Sequence, residues 1–290
     1  MPAQKPLVGI TFMVLSCALL ATKDGLAKTF LDQVGPAQII WIQYAGTFTT
    51  MALIAAPKHG WRVFKPAPLG GQFMRGAFSA AAVASLYWSL TYIPLAEATA
   101  MFMLSPVIVA LLSPMLLGER IDIGRKFAIA IGFAGVLVIL KPGLGGDARG
   151  YYIGLMAGTF MGLYLIANRK LAASSPPVLN IAHNALTGAL AFSPFLPFFW
   201  QAPPAAVAPK LAALLVLAVV GQGLMISSFI YAPASVLAPF TYAMLVFAAL
   251  IGYVAFGTFP DLASWAGIAL IVGAGLFIAN RERQPTARKA

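Results

Sequence analysis

Apolar stretches of about twenty residues recur along this 290-residue chain, parted by short segments rich in Lys, Arg, Gly and Pro. Ten can be marked, at about 6–24, 37–56, 71–92, 95–117, 124–140, 150–169, 178–200, 210–230, 234–257 and 261–279. An α-helix rises about 1.5 Å per residue and a bilayer's hydrocarbon core is about 30 Å thick, so each stretch is of spanning length. Most separators carry charge, Gly or Pro, as in Lys58 to Pro68, Gly118 to Lys126, Lys141 to Arg149 and Ala172 to Pro177. Two are only a dipeptide long, Ile93-Pro94 and Ala232-Pro233. Proline ends the preceding helix, so the spans on either side form tight antiparallel hairpins.

The pattern also repeats. Pro94 to Leu140 runs from Pro-Leu-Ala-Glu-Ala-Thr-Ala through an apolar run to Gly118-Glu119-Arg120, a charged loop and a second apolar run. Pro233 to Ala279 has the same plan, and Tyr92, Pro94, Gly118 and Asp122 stand at one common offset from Tyr231, Pro233, Gly257 and Asp261. A repeat this long sets the architecture. It predicts one half-unit used twice, residues 1–142 with spans 1–5 and residues 143–290 with spans 6–10 and a short tail. The hinge is the Lys141–Arg149 loop. Five spans per half is odd, so the halves run in opposite senses. The expected fold is an all-α membrane protein of ten transmembrane helices in two inverted five-helix repeats around a central cavity. Secondary transporters are built this way, with a site at mid-membrane.

Composition agrees. The chain is 60% hydrophobic and 9% charged, where a soluble domain carries about 25% charged residues. No polar stretch is long enough to fold alone. The net charge of +11 suggests nucleic acid only in a soluble protein; here it reads as the loop excess of Lys and Arg on one side. With the N-terminus inside, the inner segments hold 14 of the 19 basic residues, Arg75 among them, which places both termini in the cytoplasm of a bacterial inner membrane. Lys5 and the following apolar run resemble a signal peptide, but the run continues past Cys17 and reads as an uncleaved first span. One Cys and two His leave no disulfide framework, no expected metal site and no expected cofactor. Motifs for a metalloprotease, a serine hydrolase or a phosphate loop are missing from the sequence, which argues against an enzyme or an ATP-driven pump.

Intramembrane polar residues then mark candidate chemistry. Lys23, Asp24 and Glu97 fall near the outer ends of spans 1 and 4. Either they sit in the interface and snorkel or pair, or they meet a zwitterion at an entrance or take part in proton coupling. Near the middle lie Phe78, Ser79, Ala82, Met101, Ser105, Tyr164, Gln222, Tyr242 and Met244, the candidate substrate-binding residues. Ser79, Ala82, Ser85 and Ser89 form one small-residue face of span 3, which suits helix packing as well as a ligand wall. Gln222 carries an amide that needs partners at membrane depth. His183 and Asn184 read as a satisfied polar pair. Gly154, Gly158 and Gly162 read as a close-packing face. Pro106 and Pro114 predict kinks in span 4.

Met103-Leu-Ser-Pro-Val-Ile-Val-Ala-Leu-Leu-Ser-Pro-Met-Leu-Leu-Gly-Glu-Arg-Ile-Asp resembles the close of the fourth helix of an EamA domain, and Gly132 and Gly135 follow as that pattern expects. The second copy, ending Gly-Leu-Phe-Ile-Ala-Asn-Arg, is similar to a second such domain. The chain thus resembles the ten-helix drug/metabolite transporter superfamily, and within it the bacterial exporters of aromatic and other amino acids. Two positions depart from symmetry: Thr258 stands opposite Glu119, and Leu245 opposite Pro106. The resemblance implies a cavity among spans 1, 3, 4, 6, 8 and 9, closed at the edge by spans 5 and 10. It implies alternating access, a small-molecule substrate, a lipid surround, no nucleic-acid partner and a monomer. Export of apolar amino acids with broad specificity is the function expected. An importer or uniporter of another metabolite or drug on the same fold is the alternative, and a membrane-embedded enzyme or lipid-handling subunit the rival of another class.

Overall fold

The computed structural model describes residues 5–118, 122–140, 148–171 and 176–283, and among these all regular structure is helical. The helices are α1 (Pro6–Lys28), α2 (Pro36–His59), α3 (Leu69–Leu90), α4 (Leu95–Phe102), α5 (Ser105–Leu117), α6 (Ile123–Leu140), α7 (Arg149–Leu171), α8 (Pro177–Phe192), the single turn α9 (Leu196–Phe199), α10 (Ala208–Tyr231), α11 (Ala234–Thr241), α12 (Ala243–Phe256) and α13 (Leu262–Arg283). Prolines at the first or second position open α1, α2, α8 and α10, where a missing N–H costs no helical bond. Gly118 and Gly257 end α5 and α12 in the left-handed region, at φ 69° and 64°, which glycine adopts without a Cβ penalty. The Lys141–Arg149 loop lies almost wholly outside the described residues, as do Glu119 and Arg120.

Span 4 is not one helix. Pro106 has no N–H to give the Phe102 carbonyl, and the chain turns at Met103 and Leu104 before α5 resumes. Pro114 lies inside α5 without stopping it. A second break falls at Tyr242, between α11 and α12, at the same sequence offset from Met103 that separates Pro233 from Pro94. Pro239 sits inside α11 rather than at that break, so the two interruptions share a place but not a proline.

Eight stretches are long and apolar enough to cross a membrane among the described residues, α4 and α5 counting as one and the last turn of α11 being joined to α12. This makes the chain a multi-pass membrane protein. Two of the expected ten spans are not among the eight. α3 carries Gln72, Arg75 and three serines. α8 has 16 residues and gives way at Ser193-Pro194 to a short turn before α9. Those two polar helices pack on each other, and α3 packs also on α7, α8 on α2, α1 on α10 and α12, and α6 on α13. One apolar core gathers residues of α2, α3 and α4, among them Ile39, Ile40, Leu86, Leu90 and Leu95. A second joins α4, α5, α6 and α13, and a third seats Met13, Cys17 and Leu20 of α1 against Leu237 and Met244.

Candidate functional site

The polar side chains that these apolar cores enclose line up along α3. Arg75, Ser79, Val83 and Tyr87 succeed one another at four-residue spacing, which puts them on one face. The polar members cover about 18 Å of helix length. Each meets partners on other helices. The Tyr87 hydroxyl accepts from Lys23 Nζ at 3.0 Å and donates to Gln43 Oε1 at 3.0 Å, joining α1, α2 and α3. Lys23 also pairs with Asp24 at 2.7 Å and lies over the Tyr87 ring. One stage along, Ser79 Oγ is 2.7 Å from the Tyr44 hydroxyl and accepts from Asn184 Nδ2 at 3.2 Å. At the start of α3, Arg75 Nη1 donates to Asn168 Oδ1 at 3.3 Å and to Asn180 Oδ1 at 3.2 Å, and Nη2 donates to the Asn180 carbonyl at 2.7 Å. Tyr164 lies within electrostatic reach of both Arg75 and Tyr44.

A buried charge is costly unless paired and hydrogen-bonded. Lys23, Asp24, Arg75 and Glu97 are all buried, so among the described residues these four ionisable side chains lie in the interior. Glu97 closes a second cluster. Its Oε2 accepts from the Tyr151 hydroxyl at 2.7 Å and its Oε1 from Ser264 Oγ at 2.6 Å, tying α4 to α7 and α13. Lys28 is within electrostatic reach of Glu97 and donates to the Ile93 carbonyl at 2.6 Å.

Of the candidate substrate residues, Ser79 belongs to the polar line along α3, and Tyr164, on α7, is within electrostatic reach of it. Ala82 is fully buried in the core beside it, and Phe78 is half-buried. Met101 and Ser105 face α7: Met101 is fully buried, with its Cβ near Gly154, and the Ser105 carbonyl lies near Gly162. Tyr242 sits at the second helix break with its hydroxyl against Gly275 of α13, buried and without a hydrogen-bond partner. Met244 packs with Met13 and Cys17, whose thiol faces the Phe240 and Thr241 carbonyls at that break. Gln222 is exposed and makes no hydrogen bond among the described residues. The nine candidates therefore divide among several places rather than lining one wall.

Two expectations need correction. Arg75, counted with the loop charges, is inside α3 and fully buried. His183 and Asn184 are not a pair: neighbouring residues point about 100° apart on a helix, and His183 Nε2 meets the Arg62 carbonyl at 3.0 Å while Asn184 meets Ser79. Lys23 and Asp24 do pair with each other, and both are buried. Tyr44, Gln43, Tyr87, Asn168 and Asn180 were absent from the candidates. The i+4 series on α3 finds Tyr87, and it crosses the small-residue face at Ser79 alone; the other four lie on α2, α7 and α8, where only the packing brings them to α3.

A family model described as the EamA-like transporter family matches residues 7–141 and again 148–280. An uncharacterized transporter of Helicobacter pylori is 27% identical over 94% of this chain and 95% of its own length. An S-adenosylmethionine uptake transporter of Rickettsia felis is 24% identical, covering 98% and 96%. A riboflavin transporter of Brucella anthropi is 25% identical, covering 96% and 100%. One solved crystal structure superposes with a TM-score of 0.62 at 23% identity, over 95% of this chain and 97% of the other, and shows the likeness of fold.

Proposed function

The chain belongs to the EamA-like transporter family, and on that premise we propose that it carries a small polar metabolite across the bacterial inner membrane by alternating access. The observation that supports this most is the succession of three hydrogen-bonded clusters along one face of α3: Tyr87 with Lys23 and Gln43, Ser79 with Tyr44 and Asn184, and Arg75 with Asn168 and Asn180. Polar groups at membrane depth are kept where they serve a substrate or ion path. This line offers donors, acceptors and both signs of charge, which suits a zwitterionic or multiply polar solute.

Family and relatives indicate a transporter rather than an enzyme. Relatives named for S-adenosylmethionine uptake and for riboflavin favour import of a metabolite over the export of amino acids. Amino-acid export stays as the second reading, because the mixed charges along α3 suit an α-amino-acid group, which S-adenosylmethionine also carries. In either direction Phe78, half-buried next to Ser79 on α3, is proposed to shape the side-chain pocket, whereas Met101, Ser105, Gln222, Tyr242 and Met244 lie apart from that face.

We further propose ten spans, α3 and α8 being the two polar ones, in inverted halves 1–142 and 143–290 with both termini cytoplasmic. Support comes from the matched helix breaks, the matched Gly118 and Gly257 and the twofold family match. It comes also from the opposite placing of two short helices. α4 begins beside Ser264 and the last turn of α1, whereas α11 begins beside Gly9 near the start of α1. A monomer is proposed.

Proteoliposomes loaded with buffer and offered labelled S-adenosylmethionine, riboflavin, methionine and phenylalanine, with and without a pH gradient, test this. Saturable movement of at least one of them is expected. No movement of any, in either direction, contradicts the reading.

A further inference from the structure

Arg75 is fully buried and has no ion-pair partner among the described residues. A buried guanidinium without a counter-ion is an expensive arrangement to retain. Its hydrogen bonds are incomplete as well. An arginine has five N–H donors. Nη1 makes two bonds and Nη2 one, all to neutral oxygens of Asn168 and Asn180, while Nε is buried and has no hydrogen-bond partner. The Nε edge of the guanidinium is one of the two faces that take an oxyanion through paired N–H groups. One turn along α8 from Asn180, Asn184 gives its Nδ2 to Ser79, while its Oδ1 is an unpartnered buried acceptor. Donors without an anion therefore lie about one helical turn from an acceptor without a donor.

We propose that Arg75 is the anion-recognition site of the transported metabolite, taking a carboxylate or phosphate on its Nε edge. This rests on the transporter reading above. The two asparagines, on α7 and α8, hold the guanidinium while the bundle is closed around it. An arriving oxyanion is the stronger partner, because charge-assisted bonds are about twice as strong as neutral ones. It competes with the asparagine oxygens and loosens the tie that joins α3 to α7 and α8. A neutral solute gains nothing there.

The test uses purified full-length protein in lipid-free detergent, so that no headgroup supplies the anion. Binding is read by thermal shift and tryptophan fluorescence for two matched pairs: phenylalanine with phenethylamine, and riboflavin 5′-phosphate with riboflavin. The proposal expects the anionic member of at least one pair to bind about tenfold or more tightly, the preference disappearing in Arg75→Gln. The responding pair tells carboxylate from phosphate. Asn168→Asp guards against mere misfolding: it sets a permanent carboxylate beside Nη1, so it should raise the melting temperature while abolishing the anion preference. Equal binding of both members of both pairs by the wild type, or an anion preference that survives Arg75→Gln or Asn168→Asp, overturns the proposal. Parallel transport assays separate the two claims. Transport of a carboxyl-free solute that Arg75→Gln leaves intact upholds the transporter reading, and absence of all transport defeats that reading instead.

Discussion

The carbonyl of Met101 lies directly against the Cα of Gly158, so close that a Cβ there would overlap it. Met101 is the last residue but one of the short helix α4, beside the break that Pro106 causes, and Gly158 stands between Gly154 and Gly162 on α7. The helices thus meet backbone to side, and the break of span 4 is held by that contact.

Gly158→Ala should therefore destabilise the protein by about 3 kcal/mol or more, and Gly158→Leu should abolish a folded product, since backbone rather than a flexible side chain must move. Gly223 on α10 meets nothing within 4 Å, and Gly223→Ala should be neutral or slightly stabilising. Thermal unfolding in detergent compares them. A Gly158→Ala protein as stable as Gly223→Ala would refute the close contact.

Removing Asp24 leaves Lys23 as a buried charge whose remaining polar partner is a phenol. Asp24→Asn is expected to cost about 3–5 kcal/mol. The double change Lys23→Met, Asp24→Leu removes both charges and should be markedly less harmful. Folded yield and melting temperature decide the order. The double variant faring worse than Asp24→Asn would mean that the pair is not what holds the charge there.

At Glu97, Ser264→Ala and Tyr151→Phe each delete one donor to a buried carboxylate, and each should cost about 1.5–3 kcal/mol. Both bonds serve one group, so their effects should not add. Simple additivity in the double-mutant cycle would show that Glu97 does not couple α7 to α13.

Much of this was legible in the residues, and the limits have physical causes. Apolar runs, dipeptide Pro separators and the common offset from Pro94 to Pro233 mark the helices and their repeat. Pro106 announces the first break, while the one at Tyr242 has no proline to announce it. α3 was harder. A small-residue series through Ala82 and a polar series through Arg75 and Tyr87 share Ser79 on the same helix, and sequence periodicity alone cannot say which faces a ligand. Arg75 misled for a plain reason: basic residues near a span end are usually loop anchors, and only packing reveals that Asn168 and Asn180 enclose it. Gln222 shows the reverse. An amide at mid-span asks for partners, yet its neighbour Gly221 takes the contact with Leu20 of α1 and leaves Gln222 exposed.

Neutral substitutions within the polar line should lower transport without unfolding the protein. Asn184→Leu removes the donor to Ser79 and its own unpartnered acceptor, and transport by this variant should fall about tenfold at equal protein level. Gln222→Leu touches no bonded group and should fall less. Initial rates in proteoliposomes check this, and the opposite order would move the route away from α3.

The most direct measurement is access to Ser79. The single native cysteine, Cys17, is buried, so Cys17→Ala gives a simple background for Ser79→Cys. If the line along α3 is the route, a membrane-impermeant maleimide should label that position slowly from the aqueous phase on either side. Substrate should slow labelling further, and a control at Ala84, buried on α3 away from this face, should stay unlabelled. No labelling of Ser79→Cys from either side, or a rate that no transported solute changes, would contradict a pathway along this face.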